Sequence, residues 1–371
     1  MIENKKPRVA LCLPGGGSTG AMYQIGALAA LQDGIGGLDT NDFDLYVGTS
    51  TGATVAAMLA GGRPINRIYR AILDPADDYF PLDRRDVLRS DRKEWRRMVT
   101  TALYAFAHGT RSLLSKAPTP ATLWLELDRF IDSAPAGLFS LHRYEEFLGD
   151  FFQRRTVPNR FEAMPRALRI MAHDLDSGEQ VLFGSPGQDD VTVTRACVAS
   201  MALAPFFSPV QVKGRHYIDP GPAQCTHVDV AVAEGAQLVI VVNPLVPMRV
   251  ESVPTGHGQR SSVRDKGFFW VASQANRIGA HALLSESIRR HRAEGKVEIL
   301  VLEPGPADTS LFLHPPMQFA ARREILEHAY RSTKGRIAGW GAENGPAIEL
   351  AGWSLAAASA DSTAEATAGA E

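Results

Sequence analysis

Apolar residues in the first part of the chain fall in short unbroken runs rather than alternating with polar ones. Val9 to Leu13 is such a run, stopped by Pro14 and the glycines from Gly15 to Gly17. A short apolar run bounded by breakers reads as a strand buried on both faces. Ala and Leu then recur at close spacing from Ala21 to Gln32, which predicts a helix. Phe43 to Val47 predicts a second strand. It runs straight into Gly48-Thr49-Ser50-Thr51-Gly52, and Ala53 to Ala60 predicts a second helix. Strand, glycine turn and helix, twice in succession, predict a parallel α/β sheet.

The pattern changes at Arg63. From there to about Pro158 the chain holds amphipathic helical pieces and no convincing strand. Strand patterns return at Ala167 to Ala172 and Gln180 to Phe183, then at Val210 to Val212, Arg215 to Ile218, Gln237 to Val242 and Val297 to Leu302. The expected architecture is one α/β domain over residues 1–350, with a helical insertion over 63–160. Pro247 to Lys266 is polar and rich in Gly, Ser and Pro, so it reads as a long loop. Phe268 to Glu294 and Met317 to Ile337 read as helices. Residues 351–371 are expected to form a disordered tail, because from Ser354 on they are mostly Ala, Ser, Thr and Glu.

Composition narrows the function classes. The chain has 371 residues, 45% hydrophobic and 22% charged, an ordinary globular balance. A formal net charge of -2 argues against nucleic acid as the main partner. The three cysteines, Cys12, Cys197 and Cys225, have no C-x-x-C spacing and read as free thiols. The run Val9 to Leu13 is too short for a signal-peptide core, and no stretch reaches the roughly 18 apolar residues of a membrane span. The expected location is cytoplasmic, or peripheral to a membrane.

Two glycine turns carry candidate chemistry. Gly48-Thr49-Ser50-Thr51-Gly52 matches G-x-S-x-G between a predicted strand and a predicted helix. Nucleophilic catalysis needs a serine on such a tight turn, with flanking glycines to avoid collision and a helix N-terminus to favour negative charge. Taken bare, the same pattern also fits a helix cap. Gly15-Gly16-Gly17-Ser18-Thr19-Gly20 exposes consecutive backbone N–H groups that can hold an oxyanion or a phosphate. It also fits G-x-G-x-x-G, so a dinucleotide site is an alternative. That site expects an acid at the end of the second strand, where this chain has the Ser50 turn. A Walker A loop fails because Ala21 and Met22 follow Gly20. A third motif, Asp219-Pro220-Gly221, follows a predicted strand. It is a turn by composition and also a position from which a carboxylate could take the Ser50 proton.

Together these motifs resemble the patatin-like phospholipases. Two further stretches match that family: Ala199-Ser200-Met201-Ala202-Leu203-Ala204-Pro205-Phe206-Phe207-Ser208-Pro209 and Asp174-Leu175-Asp176-Ser177-Gly178-Glu179. The resemblance runs in order from about Val9 to Val242. It implies a three-layer α/β/α fold with a mostly parallel central sheet, and a lipid acyl hydrolase with a Ser–Asp dyad and no histidine. By this resemblance Ser50 is the nucleophile and Asp219 the base. Gly15, Gly16 and Gly17, followed by Ser18, Thr19 and Gly20, form the oxyanion and substrate loop, with help from the Thr51 N–H. Gly48 and Gly52 flank the elbow, and Pro220 and Gly221 complete the Asp motif. No metal or organic cofactor is called for, and the implied partner is a lipid acyl ester. Two positions depart from the family. Thr19 stands where Arg or Lys is usual, and Pro220 where glycine is usual. Both lend weight to the alternative of a non-catalytic lipid-binding or regulatory protein.

Other residues invite weaker readings. His173, His216 and His227 lie near the motifs and could complete an ordinary triad. His173 and Asp174 suggest a metal pair, but nothing nearby supplies a third ligand. The segment 84–116 interleaves Arg92, Lys93, Arg96 and Arg97 with Trp95, Tyr104 and Phe106. It reads either as a helical cap or as a surface for an anionic bilayer. The amphipathic stretch Phe139 to Phe152 reads as packing.

Overall fold

The computed structural model describes residues 6–87, 89–90, 95–96, 99–100, 136–221, 227–248, 262–305, 308 and 319–355. Most of the 84–116 segment, the 249–261 stretch, Cys225 and residues 356–371 lie outside the described residues. The chain divides into two compact units. One takes the chain up to Phe80, Met164–Arg169 and the chain from Pro222 onward; the other takes Pro81–Ala163 and Ile170–Gly221.

The first unit opens with β1 (Val9–Leu13), α1 (Gly17–Gly34), β2 (Ile35–Gly36), β3 (Leu45–Thr49), α2 (Thr51–Ala60) and α3 (Ile65–Leu73). The second contains α4 (Arg84–Val87), β4 (Arg89–Ser90), β5 (Phe139–Ser140) and α5 (His142–Arg154). It also holds most of β6 (Ala167–Asp174), β7 (Gln180–Phe183), α6 (Val193–Ser200), β8 (Val210–Val212) and β9 (Arg215–Ile218). The first unit resumes with α7 (His227–Ala233), β10 (Leu238–Val242), α8 (Phe268–Glu294), β11 (Glu298–Leu302), α9 (Arg322–Glu343), α10 (Gly345–Leu350) and β12 (Ser354–Leu355).

The fold is mixed α/β with a mostly parallel central sheet, as the turns had indicated. In the first unit β11, β10, β1 and β3 lie side by side, all parallel. β1, β3 and β10 are buried at every position, which is why they read as unbroken apolar runs. Two helical layers cover them. One face sends Ala10, Cys12, Leu45, Val47, Val239, Val241 and Ile299 against Val228 and Ala231 of α7 and Ala280 and Leu284 of α8. On the other side α1 packs against α9. A Cβ on Gly26 would come within 2.4 Å of the Leu326 carbonyl oxygen, so this helix pair approaches backbone to backbone.

Order extends past residue 350. Ser354 and Leu355 pair antiparallel with Gly36 and Ile35, and Trp353 meets Phe43 edge-on at 6.2 Å. The tail boundary read from composition is therefore early by several residues, because one tryptophan gives this segment something to bury.

The second unit is antiparallel. β6 pairs with β7 and β9, and β9 with β8. Its helices follow ordinary amphipathic logic. α5 buries Tyr144, Leu148, Phe151 and Phe152, and Glu145 pairs with Arg195 of α6 at 2.5 Å. The stretch from Phe139 is thus packing, as expected. The unit is not the helical 63–160 insertion anticipated: α3 belongs to the first unit, and the six strands β4 to β9 belong wholly or mostly to the second. Helical periodicity marks a segment's local structure and carries no information about which body it joins.

Candidate active site

β1 and β3 are neighbours in register, Leu13 opposite Gly48, so their two glycine turns leave the sheet at the same level. Each turn leads into a helix, α1 at Gly17 and α2 at Thr51. Two helix N-termini, with their outward N–H groups, therefore meet at the C-terminal ends of adjacent parallel strands. Such a place favours developing negative charge.

Ser50 stands between β3 and α2 with φ 54° and ψ -131°, one of three non-glycine residues with positive φ among those described. A serine gains nothing locally from that conformation, which costs about 1–3 kcal/mol. Its neighbours impose it. A Cβ on Gly52 would stand 2.1 Å from the Leu13 carbonyl oxygen, and one on Gly48 2.7 Å from the Cα of Ala53. α2 thus starts hard against the end of β1, and the chain has room for one sharp corner only. Ser50 is 8% exposed and forms the N-cap position of α2, yet its side chain makes no capping hydrogen bond. The side-chain cap alternative therefore lacks its bond: Ser50 serves α2 through its carbonyl, which accepts from Ala53 N–H at 3.0 Å, and not through its hydroxyl.

The glycine loop is fixed to the elbow. The Thr51 hydroxyl donates to the Gly17 carbonyl at 2.9 Å. Gly16 and Gly17 have φ of 140° and 68°. Gly20 N–H and the Thr19 hydroxyl both donate to the Gly16 carbonyl, at 3.1 and 3.2 Å. α1 consequently begins at Gly17, four residues before the helix predicted from Ala21, because these two bonds close its first turn despite the poor helix propensity of glycine. Thr19 is buried in that turn. The family's usual cation at this position is replaced by a side chain that braces the loop.

Three residues that sequence reasoning passed over hold this end of the sheet. Gln24 of α1 donates to the carbonyls of Pro14 and of Val242, the latter at 3.3 Å. Pro244, just after β10, lies 3.1 Å from where a Gly16 Cβ would be. Arg277 of α8 donates to the Pro244 and Val246 carbonyls at 2.8 and 3.2 Å. Burial lowers the Arg277 pKa to about 10, so it stays charged at neutral pH. A buried cation thus stands behind the glycine loop, one residue removed. The signal available in the sequence was a lone polar residue inside an apolar helical run for Gln24, and for Arg277 the lone Asp, Glu, Lys or Arg between Phe268 and Ser285.

His227 is buried in α7 and its Nε2 lies 2.5 Å from the Thr49 hydroxyl. Burial lowers its pKa from 6.5 to about 3, so it is neutral. It holds the residue before Ser50 rather than Ser50 itself, which is a positioning contact and not a triad geometry. Cys12 and Cys197 are buried free thiols.

The Asp motif belongs to the second unit. Asp219 directly follows β9, as predicted, and is 7% exposed. Its N–H donates to the Ala202 carbonyl at 3.1 Å, and its Oδ1 accepts from Gly221 N–H at 2.8 Å. This is a side-chain turn closed on the residue two positions on. Pro220 fits it at no cost, since the donor used belongs to Gly221, whose φ of 58° suits glycine. His173 and His216 are in the same unit. Asp174 caps its own turn, accepting from Asp176 and Ser177 N–H at 3.0 and 3.1 Å, and pairs with Arg215 at 3.0 Å. Burial works to raise its pKa, but these hydrogen bonds and the Arg215 charge prevail and lower it. Among the described residues no group of three or more His, Cys, Asp or Glu side chains is arranged to hold a metal. None of the described helices is long and apolar enough to cross a membrane.

The profile of the family described as Patatin-like phospholipase matches residues 11–229. No curated protein is significantly similar in sequence. Among solved structures the chain is similar to full-length ExoU of Pseudomonas aeruginosa in complex with SpcU, with 13% identity and a TM-score of 0.32 over 92% of this chain and 60% of that one. It is similar to VipD from Legionella pneumophila, with 12% identity and a TM-score of 0.35 over 90% and 67%. It is also similar to human GIVD cytosolic phospholipase A2 in complex with methyl gamma-linolenyl fluorophosphonate, with 11% identity and a TM-score of 0.35 over 95% and 61%. The chain spans from 52% to 67% of the length of five such solved chains.

Proposed function

This chain belongs to the patatin-like phospholipase family, and from that premise we propose that it hydrolyses acyl esters of lipids, with Ser50 as nucleophile and Asp219 as general base. The observation that carries the proposal is the backbone of Ser50, held at φ 54° between a buried strand and a helix. Strain of this kind persists where surrounding packing enforces it, and at a serine elbow it projects the hydroxyl away from the sheet.

In this reading Ser50 Oγ attacks the ester carbonyl carbon while its proton passes to the Asp219 carboxylate. The carbonyl oxygen becomes an oxyanion, held by N–H groups of Gly15, Gly16 and Gly17 and of Thr51. Each such donor contributes about 3–4 kcal/mol to the transition state. The intermediate collapses, the alcohol leaves with the proton from Asp219, and an acyl-serine remains. Water then attacks the acyl carbon, giving its proton to Asp219. The acid is released and Ser50 recovers its hydrogen. No step calls for a cofactor. The Arg277 charge behind the glycine loop and the two helix N-termini favour the same negative charge.

A fluorophosphonate probe tests this. The wild-type protein is expected to label covalently and Ser50→Ala to remain unlabelled, with ester turnover reduced by about 10³-fold or more. Equal labelling of both proteins would remove Ser50 from the role.

A further inference from the structure

α8 has its polarity reversed along half its length. In the half nearer its C-terminus the arrangement is ordinary: Leu284 is buried, Ser287 and His291 are buried and hydrogen-bonded to Asp229 at 2.7 Å, and Glu286, Arg289 and Arg290 face outward. In the half nearer its N-terminus the side chains facing the body are mainly polar, with Ala280 the apolar exception. Gln274 exchanges two hydrogen bonds with the Met248 backbone, at 2.9 and 3.0 Å. Arg277, one turn on, holds the Pro244 and Val246 carbonyls. His281, a further turn on, approaches Glu303 at 3.7 Å.

The outward face of that same half is apolar. Phe268 is 70% exposed, Val271 47%, Ile278 52% and Leu283 45%, four of the nine large hydrophobic residues exposed among those described. Ala275 and Ala282 are exposed as well. Phe268, Val271, Ala275, Ile278 and Ala282 follow one another by three and four residues, so they form one stripe along the helix. Scattered exposed hydrophobics need no explanation, but a contiguous stripe marks an interaction surface.

Charge identifies the partner. No Asp or Glu occurs between Phe268 and Ser285, and the only Lys or Arg in that stretch, Arg277, points inward. Arg264 and Lys266 stand immediately before the helix with Asp265 between them, a net basic end, and the Lys266 ammonium lies over the Trp270 ring at 4.4 Å. A helix with an acid-free apolar face and aromatic and basic side chains at one end is suited to lie in the surface of an anionic bilayer. Its position agrees. The Arg277 side chain on the inner face holds Pro244, which packs on Gly16 and Gly20 of the glycine loop, so a bilayer on the outer face would lie one helix diameter behind that loop. We propose that the outward face of the N-terminal half of α8 docks on an anionic lipid surface. This rests on the lipid-hydrolase reading for its purpose, though not for its geometry.

The experiment uses the full chain with vesicles of phosphatidylcholine containing about one third phosphatidylserine, a strongly anionic surface. Val271→Asp with Ile278→Asp is expected to lower co-sedimentation with these vesicles at least tenfold, and hydrolysis of vesicle lipid with it. Turnover of a soluble short-chain nitrophenyl ester and the melting temperature stay as in wild type. As a second variant, Arg264→Gln with Lys266→Gln is expected to weaken binding several-fold at low salt and to flatten its salt dependence. Vesicle binding unchanged in both variants would overturn the proposal. So would light scattering that shows a wild-type dimer broken by the Asp substitutions, which would assign the face to a second copy of the chain. If wild type hydrolyses neither substrate, the catalytic reading fails, while the sedimentation still decides the docking face.

Discussion

Residues 48–52 turn from β3 into α2 with no side-chain volume to spare, whereas residues 218–221 turn out of β9 through hydrogen bonds between an aspartate and its own turn. Around Ser50 the constraint is steric: glycine at 48 and 52 is demanded by backbone atoms of β1 and α2. Around Asp219 it is polar, one bond from the main chain to Ala202 and one from Gly221 to the side chain. The steric turn fixes a residue in a conformation it would not choose. The polar turn holds a carboxylate in a conformation that Asp-Pro-Gly prefers. The difference suits the roles proposed, since a nucleophile gains from an enforced backbone and a base needs only a steady orientation.

Substitutions should separate the two. Gly52→Ala is expected to do the most damage, because its methyl must displace the Leu13 carbonyl; a loss of about 3 kcal/mol or more in urea unfolding is anticipated, with activity lost too. Near-wild-type stability would mean that the turn is not sterically determined. Asp219→Asn keeps an oxygen for the Gly221 N–H and should cost less than about 1 kcal/mol of stability. Its ester turnover should nevertheless fall by about 10²–10⁴-fold. A variant that melts early and retains its rate would reverse that assignment.

The buried histidine behind the elbow gives a pH signature of intermediate size. Folding lowers the His227 pKa from 6.5 to about 3 through burial. Between those values the unfolded chain binds a proton that the folded one does not. The stability present above the upper value is therefore lost as pH falls through the window. In His227→Gln the slope of melting temperature against pH across that range should be shallower than in wild type. Identical slopes would show that His227 is not held neutral. The smallest effect is expected from Pro220→Gly, which restores the family's usual residue. It leaves the Gly221 donor in place and costs about 0.4–1 kcal/mol through a looser unfolded chain, with the rate unchanged.

Much of this was readable in the chain. The buried strands show as apolar runs because a parallel sheet covered on both faces leaves no polar alternation. Ser50 and the Gly15–Gly20 loop show because only small residues fit where backbone meets backbone. Asp219 was placed at a strand end by the pattern of Arg215 to Ile218. What stayed hidden depends on partners far away in sequence. Gln24 and Arg277 matter through carbonyls they meet only after folding, and His227 lies beside Thr49 rather than Ser50. The early start of α1 was missed because glycine propensity argues against it, and the order at Ser354 because its partner is Ile35–Gly36. The division into two units follows from contacts that no local window contains.

The central claim is that Ser50 carries the acyl group during turnover. Acid quenching during hydrolysis of a nitrophenyl ester, followed by peptide mass mapping, measures it directly. The account predicts a single acyl adduct on the peptide containing Ser50, absent from Ser50→Ala. Turnover with the adduct on another residue, or undiminished turnover in Ser50→Ala, would contradict it.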